Sequence, residues 1–277
     1  MDLPAHPLLR PGARVTRRGD GLLQLGLDPP RRVVAPDCPD VRRALSSLEA
    51  GRQPDLGVVV VARLFRDLLA ADLLVDGDLL LADLAQAPVH AAYGLGAGAV
   101  LERRARHGIA VVGPPGAVAQ AGSLLPAGLG RDPLVTLVIG EGIVPREQVD
   151  DLVREGLPHL VLQRVEDRVE VGPFVAPGLT ACLRCVDGHR AEADPRRSLV
   201  LDQYAGPRGD GLSEPVDVMV NAVALAWAVR DCLTYVDGYE PATWSRTITF
   251  GPGMARVERD WLRHPLCGCT WADAATG

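Results

Sequence analysis

The sequence predicts an α/β protein, with a small N-terminal module of short strands and helices followed by a larger sheet of buried strands. Three observations carry that expectation. Residues 12–35 hold three strand-like segments parted by turn residues, and two helical stretches follow them. Farther on, the apolar runs Ile109–Val112 and Leu134–Ile139 each end at a glycine and give way to a helical pattern, as strands of a parallel sheet do. The third is composition: 47% of the residues are hydrophobic and 23% charged, which supplies a packed core and excludes a disordered chain.

Taken in order, Val15-Thr-Arg17, Gly19-Asp-Gly21 and Leu22-Leu-Gln-Leu25 read as strand, turn and strand, and Asp28-Pro-Pro30 turns into a third strand at Arg32–Ala35. Asp37 is placed to cap a helix over Pro39–Leu48 that Gly51 ends. Leu64, Leu68 and Leu69 give Val58–Leu74 helical spacing up to Asp76-Gly77-Asp78. These elements make a winged-helix-like module over about residues 1–85, leaving 86–277 for the α/β domain. Gly94-Leu-Gly96-Ala-Gly98 follows no strong strand, so packing glycine describes it better than a phosphate loop. Gly113-Pro-Pro-Gly116 opens a helix of small residues, and Gly140-Glu-Gly142 bounds the next strand. Pro145 and Arg146 start a helix to Glu155, His159–Gln163 is a third strand, and Val165–Val175 reads as a meander at the sheet's edge. A long apolar helix is expected over Val216–Val236, opened by Ser213-Glu-Pro215. Asn221 inside it, with Asp217 and Arg230 at its flanks, leaves an apolar run shorter than the roughly 20 residues of a membrane span. It is expected in a core or a dimer interface, with no membrane partner.

All 29 basic residues of the 277 are arginine. Without lysine there is no Walker phosphate loop, no Schiff base and no kinase-type strand lysine. A net charge of -6 disfavours nucleic acid, although Arg17, Arg18, Arg31, Arg32, Arg42 and Arg43 make the N-terminal part locally basic and keep a DNA reader as an alternative. Met1–Pro11 lacks an apolar core behind a basic start, so no signal peptide and a cytoplasmic location are expected.

Two close cysteine pairs, Cys182-Leu-Arg-Cys185 and Cys267-Gly-Cys269, are the sharpest local signal. Short loops of this kind turn both sulfurs of a pair to one point, so the two pairs together fit a closed, structural Zn2+ site. His189 and His264 lie near enough in sequence to replace a thiol, and a Cys185–His189 nucleophile pair is the weaker rival. Cys38 and Cys232 lack partners at ligand spacing and read as core residues.

Gly172-Pro-Phe-Val-Ala-Pro-Gly178, Cys182-Leu-Arg-Cys185-Val-Asp-Gly-His189, Asp194-Pro195 and His264-Pro-Leu-Cys-Gly-Cys269 together resemble the ThiF-like, leader-peptide-binding cyclodehydratase proteins of thiazole/oxazole-modified (bacteriocin-type) peptide biosynthesis. The resemblance is specific in the C-terminal half and only in outline before it. It implies an N-terminal winged-helix, PqqD-like element that binds a precursor's leader peptide. It also implies a ThiF/MoeB-type, Rossmann-like domain with a four-cysteine zinc site, and a YcaO-type partner that uses ATP for cyclisation.

Relatives that adenylate carboxylates need a glycine-rich loop, a ribose acid, a lysine and an arginine for the phosphates, and a magnesium aspartate. Here the prolines of Gly113-Pro-Pro-Gly116 remove backbone donors from the loop. A ribose acid is due roughly 20 residues past the glycines, where this chain is already in Leu134–Ile139. Glu141 falls where the magnesium aspartate would lie. Gly113, Gly116 and Glu141 thus read as a vestigial nucleotide loop in a degenerate domain, with no catalytic residues and no ATP expected.

The expected function is that of a non-catalytic scaffold. A leader peptide would add as a strand beside Arg32, Val33, Val34 and Ala35, with Arg63 and Arg66 of the next helix suiting an acidic leader. The zinc-stapled half would dock a YcaO-type partner or a second copy. The rival is an ATP-dependent ThiF-like adenylyltransferase acting on a peptide or sulfur-carrier C-terminus.

Overall fold

The structure is a computed structural model that describes residues 3–205 and 214–269. It falls into two compact units, Met1–Glu102 and Arg103–Gly277. In the first, β1 (Pro7–Leu9) precedes a meander of β2 (Val15–Gly19), β3 (Leu22–Leu25) and β4 (Val33–Pro36). Then come α1 (Pro39–Glu49), α2 (Val59–Ala70), β5 (Leu74–Asp76), α3 (Gly77–Ala82), α4 (Ala87–Tyr93) and α5 (Ala97–Arg106), the last running across the division.

The β2–β3 hairpin turns on Asp20 and Gly21, both at positive φ (49° and 68°), the two-residue loop whose twist matches its strands. Gly26 is fixed by close approach, since a Cβ there would sit 2.0 Å from the Arg31 carbonyl oxygen. One face of the meander (Leu23, Leu25, Val33, Ala35) packs on Val41, Leu45 and Leu48 of α1 and on Leu64, Phe65 and Leu68 of α2. The order β2-β3-β4 leaves β4 with a neighbour on one side only among the described residues.

Two sequence expectations fail in this unit for local reasons. Asp37 does not cap α1: Cys38 holds that position, and the Asp37 carboxylate takes two bonds from Arg42 instead, at 2.5 and 2.8 Å. Nor does the second helix reach Leu74. It stops at Ala70, and Asp72 turns the chain at φ 54° into β5, which pairs antiparallel with β1. Arg10, 3% exposed, holds that turn by bonding the Asp72 carbonyl (2.7 Å), the Asp72 carboxylate and the Ala91 carbonyl (2.9 Å).

The second unit contains β6 (His107–Val112), α6 (Pro115–Leu124), β7 (Asp132–Ile139), α7 (Arg146–Arg154), β8 (His159–Val165) and β9 (Arg168–Val175). It continues with α8 (Leu183–Ala193), α9 (Arg197–Tyr204), α10 (Val218–Val236), β10 (Arg246–Phe250) and β11 (Arg256–Asp260). Its six strands form one mixed sheet in the order β11-β10-β9-β8-β7-β6. Only β6, β7 and β8 are parallel; β9, β10 and β11 fold back antiparallel, so the expected parallel sheet is half of the observed one.

Leu137, Ile139, Leu160 and Leu162 meet α6 and α10 on one face, while Val138 and Val161 meet Val149 of α7 and Leu183 of α8 on the other. Burial on both faces explains the unbroken apolar runs of the sequence. The long helix starts at Val218, two residues later than expected, because Asp217 caps it by accepting the Met219 and Val220 N–H groups. Ser213 lies outside the described residues. By length and composition α10 could cross a membrane. Here it lies on the sheet, with Val220, Ala224, Leu225, Ala228, Val229 and Cys232 in the core. Asp231, on the same helix, accepts the Ala242 and Thr243 N–H groups and the Thr243 hydroxyl.

Arg104 and Asp237 form a bidentate pair at 2.6 and 2.8 Å, their side chains 9% and 0% exposed. Removing one member of such a pair strands a buried charge. Asp237→Ala is therefore expected to cost about 3–5 kcal/mol in urea unfolding. Arg104→Met combined with Asp237→Leu should restore most of that loss, and a double mutant no better than the single would refute the account.

Candidate functional site

Two regions of the second unit carry chemistry. The first is the cysteine cluster. Cys182 stands at the N-cap of α8 and Cys185 in its first turn, where helix geometry turns both sulfurs the same way. α8 is oriented by two arginine–carboxylate pairs with α7, Arg146–Asp187 (2.6 and 2.9 Å) and Arg184–Asp150 (2.8 and 2.5 Å). After β11, Trp261 is 4% exposed and donates its indole N–H to the Thr247 hydroxyl at 2.9 Å, which fixes the start of the tail. The tail then brings Cys267 and Cys269 back to α8.

The four sulfurs lie within 4.8 Å of one another. Cys182 Sγ is 3.7 Å from Cys185 Sγ and 3.6 Å from Cys267 Sγ, and Cys185 Sγ is 3.4 Å from Cys269 Sγ. Tetrahedral Zn–S bonds of about 2.3 Å place sulfurs about 3.8 Å apart, so these four thiols fit a closed metal site. A hydrogen bond from the Cys182 thiol holds Cys185 down, to about 4, while sharing that proton and burial push Cys182 up. Burial pushes Cys269 up to about 12. Cys232 is buried in α10, away from the cluster, and Cys38 is half-buried in the first unit.

His189, Glu192 and His264 gather beside the cluster, with ligand atoms also within 4.8 Å of one another. Their hydrogen bonds are already assigned. His189 Nε2 donates to the Leu262 carbonyl at 3.0 Å. His264 Nδ1 accepts the Leu266 N–H at 3.2 Å, which keeps the ring proton on Nε2, aimed at Glu192 Oε1 3.2 Å away. His264 thus has no spare lone pair for a metal, and the trio braces the tail. Neither histidine replaces a thiol.

The second region is a cavity at the carboxyl ends of β6 and β7, where the sequence placed Gly113, Gly116 and Glu141. Gly113 is required there because a Cβ would lie 2.4 Å from the Ile139 carbonyl oxygen. Gly116, Gln120, Glu141, Arg164, Glu214 and Asn221 line a cavity of about 330 Å³. It holds one cation facing two carboxylates, and that cation is occupied: Arg164 donates to Asn221 Oδ1 (2.8 Å) and to the Gly140 carbonyl (3.0 Å). Burial lowers the Arg164 pKa, an effect that Glu141 opposes. Among the described residues the strand order of the sheet runs through without reversal, and β6 lies at its edge. Nucleotides in open α/β sheets bind where strand order reverses. Sequence reasoning missed Arg164 and Glu214; the one signal was Asn221, a polar residue inside an apolar helix.

In the first unit Arg32 is exposed just before β4, Val33 and Ala35 face the core, and Val34 is 41% exposed. Arg63 and Arg66 share the exposed stripe of α2 with Val59, and α2 packs beside β4. Arg66 reaches Asp67 at 3.4 Å. A strand-adding peptide would thus meet main chain and Val34, not the Val33 or Ala35 side chains.

No protein-family profile matches the sequence, nor does any curated protein. Solved structures of heterocyclases and of E. coli MccB share this chain's fold. The heterocyclase TruD aligns at TM-score 0.73 and 16% identity, over 96% of this chain and 43% of its own. A heterocyclase in complex with substrate and cofactor aligns at 0.69 and 14%, over 96% and 39%. E. coli MccB with selenomethionine MccA aligns at 0.62 and 14%, over 96% and 99%. The chain thus spans about two fifths of the heterocyclases and nearly all of MccB, and the resemblance read from the sequence holds for the fold.

Gly188 on α8 leaves room for the His264 ring, since a Cβ there would lie 2.8 Å from its Cγ. Gly188→Ala is expected to cost about 1–3 kcal/mol by overpacking. It should also speed the reaction of Cys267 with Ellman's reagent in metal-free protein. An unchanged melting temperature and thiol rate would rule out this packing.

Proposed function

We propose that this protein is a non-catalytic scaffold of ribosomal peptide modification that presents a precursor's leader peptide to a YcaO-type cyclodehydratase for azoline formation. The observation that carries the reading is the open edge of β4 beside α2, in a small unit of sheet and helices that suits a winged-helix, PqqD-like module over about residues 1–85. A leader adding as a strand takes main-chain hydrogen bonds from Arg32, Val33, Val34 and Ala35, and its acidic side chains pair with Arg63 and Arg66. MccB with N-formylated MccA and the heterocyclase with its substrate support the choice of a peptide ligand. The YcaO-type partner carries the ATP chemistry, and a second copy is the other candidate for docking on the second unit.

Cys182, Cys185, Cys267 and Cys269 hold a zinc ion in this reading. Zinc supplies a cross-link between α8 and the tail. The chain's thiolates bind it at all four positions, which leaves no place for substrate.

The likeness to MccB, a microcin C7 biosynthetic enzyme, favours a second reading, an adenylyltransferase acting on a peptide or sulfur-carrier C-terminus. The acid-lined pocket, the occupied Arg164 and the absence of lysine weigh against it.

Metal analysis of purified protein is expected to find about one zinc per chain. Cys182→Ser with Cys267→Ser should release it and lower the melting temperature; full metal retention would exclude the site. For the leader site, a labelled acidic peptide followed by fluorescence anisotropy should bind the wild type. Arg63→Glu with Arg66→Glu should weaken it by about tenfold or more, from the loss of charge-assisted contacts. Unchanged affinity in that variant, or tight magnesium-ATP binding with pyrophosphate release, would overturn the scaffold reading.

A further inference from the structure

A second cavity of the sheet-bearing unit, about 630 Å³, is not used by this reading. Its floor includes Gln163, Glu170 and Thr249 from β8, β9 and β10, and residues of α8 and α9 wall it. The floor is internally satisfied: Glu170 accepts Gln163 Nε2 at 2.9 Å and Arg190 at 2.5 Å. Two other lining arginines are not. Arg197 has its Nε buried without a hydrogen-bond partner. The Arg259 guanidinium lies over Trp261, 4.2 Å from the ring centroid, with no carboxylate partner among the described residues.

Charge and shape narrow the ligand. Four arginines and three carboxylates line the cavity, leaving one positive charge in excess, which suits one carboxylate and not a polyphosphate. Ile143, Val165, Val200, Leu201 and Tyr204 add apolar wall. The volume lies within the range of small-molecule sites. We propose that this cavity is a second binding site, for a monocarboxylate with an apolar body, held by Arg197 and Arg259. Either a peptide's free carboxylate or a free organic acid has that chemistry. A bound carboxylate takes the orphaned Arg197 Nε–H and draws Arg259 away from Trp261, so indole emission reports occupancy.

The test is calorimetry and tryptophan emission on the full chain with 4-phenylbutyrate, with acetyl-Leu-Phe as free acid, and with the amide of each. The acids are expected to bind about tenfold or more tightly than the amides, since each amide forfeits charge-assisted hydrogen bonds. Arg197→Gln and Arg259→Gln should each weaken the acids by about tenfold while leaving zinc content and melting temperature unchanged. Arg259 lies exposed on a strand, so its variant is expected to fold, and Arg63→Glu with Arg66→Glu should bind the acids as the wild type does. Binding of the peptide acid alone assigns the site to peptides; binding of both acids extends it to free acids. The inference fails if acids and amides bind alike, if neither acid binds, or if both arginine variants bind unchanged.

Discussion

Leu137 and Leu160 meet α10 on one face of the sheet while Val138 and Val161 meet α7 and α8 on the other, and the rest of the second unit is arranged around that double burial. Because β7 and β8 are covered on both sides, the groups that do chemistry are pushed to the strand ends and the antiparallel half. At the strand ends the chain sets two carboxylates against one tethered arginine.

The antiparallel half is organised from the tail. Trp261 is buried against β10 and stacks with Arg190 and Arg259, while its neighbour His264 enters the notch that Gly188 leaves. The same few residues therefore bring Cys267 and Cys269 to α8 and set two of the arginines of the adjoining cavity. Cysteine cluster and cavity share α8, so anything that loosens the tail disturbs both.

What could be read from the sequence was what local pattern encodes. β7 and β8 announce themselves because double burial demands unbroken apolar runs, and the paired cysteines because short loops fix their sulfurs. β11 was invisible: Arg256–Asp260 is exposed at every position, so it has no alternation to detect. β1 and β5 are three residues each and find one another across most of the first unit. Asp37 looked like a cap until Arg42, one turn on, offered it a stronger bond. Arg164 could not be singled out among 29 arginines, because Asn221 and Gly140, which hold it, come from other elements.

An open strand edge is also a hazard, because it can pair with the same edge of another molecule. β4 is bracketed by Arg31 and Arg32 at one end and by Pro36 at the other. Two such edges repel one another through their arginines, and proline offers no N–H to extend a ladder. An acidic strand meets the opposite field. The same three residues thus act as gatekeepers against self-aggregation, and in the scaffold proposed above they double as a filter on guest strands.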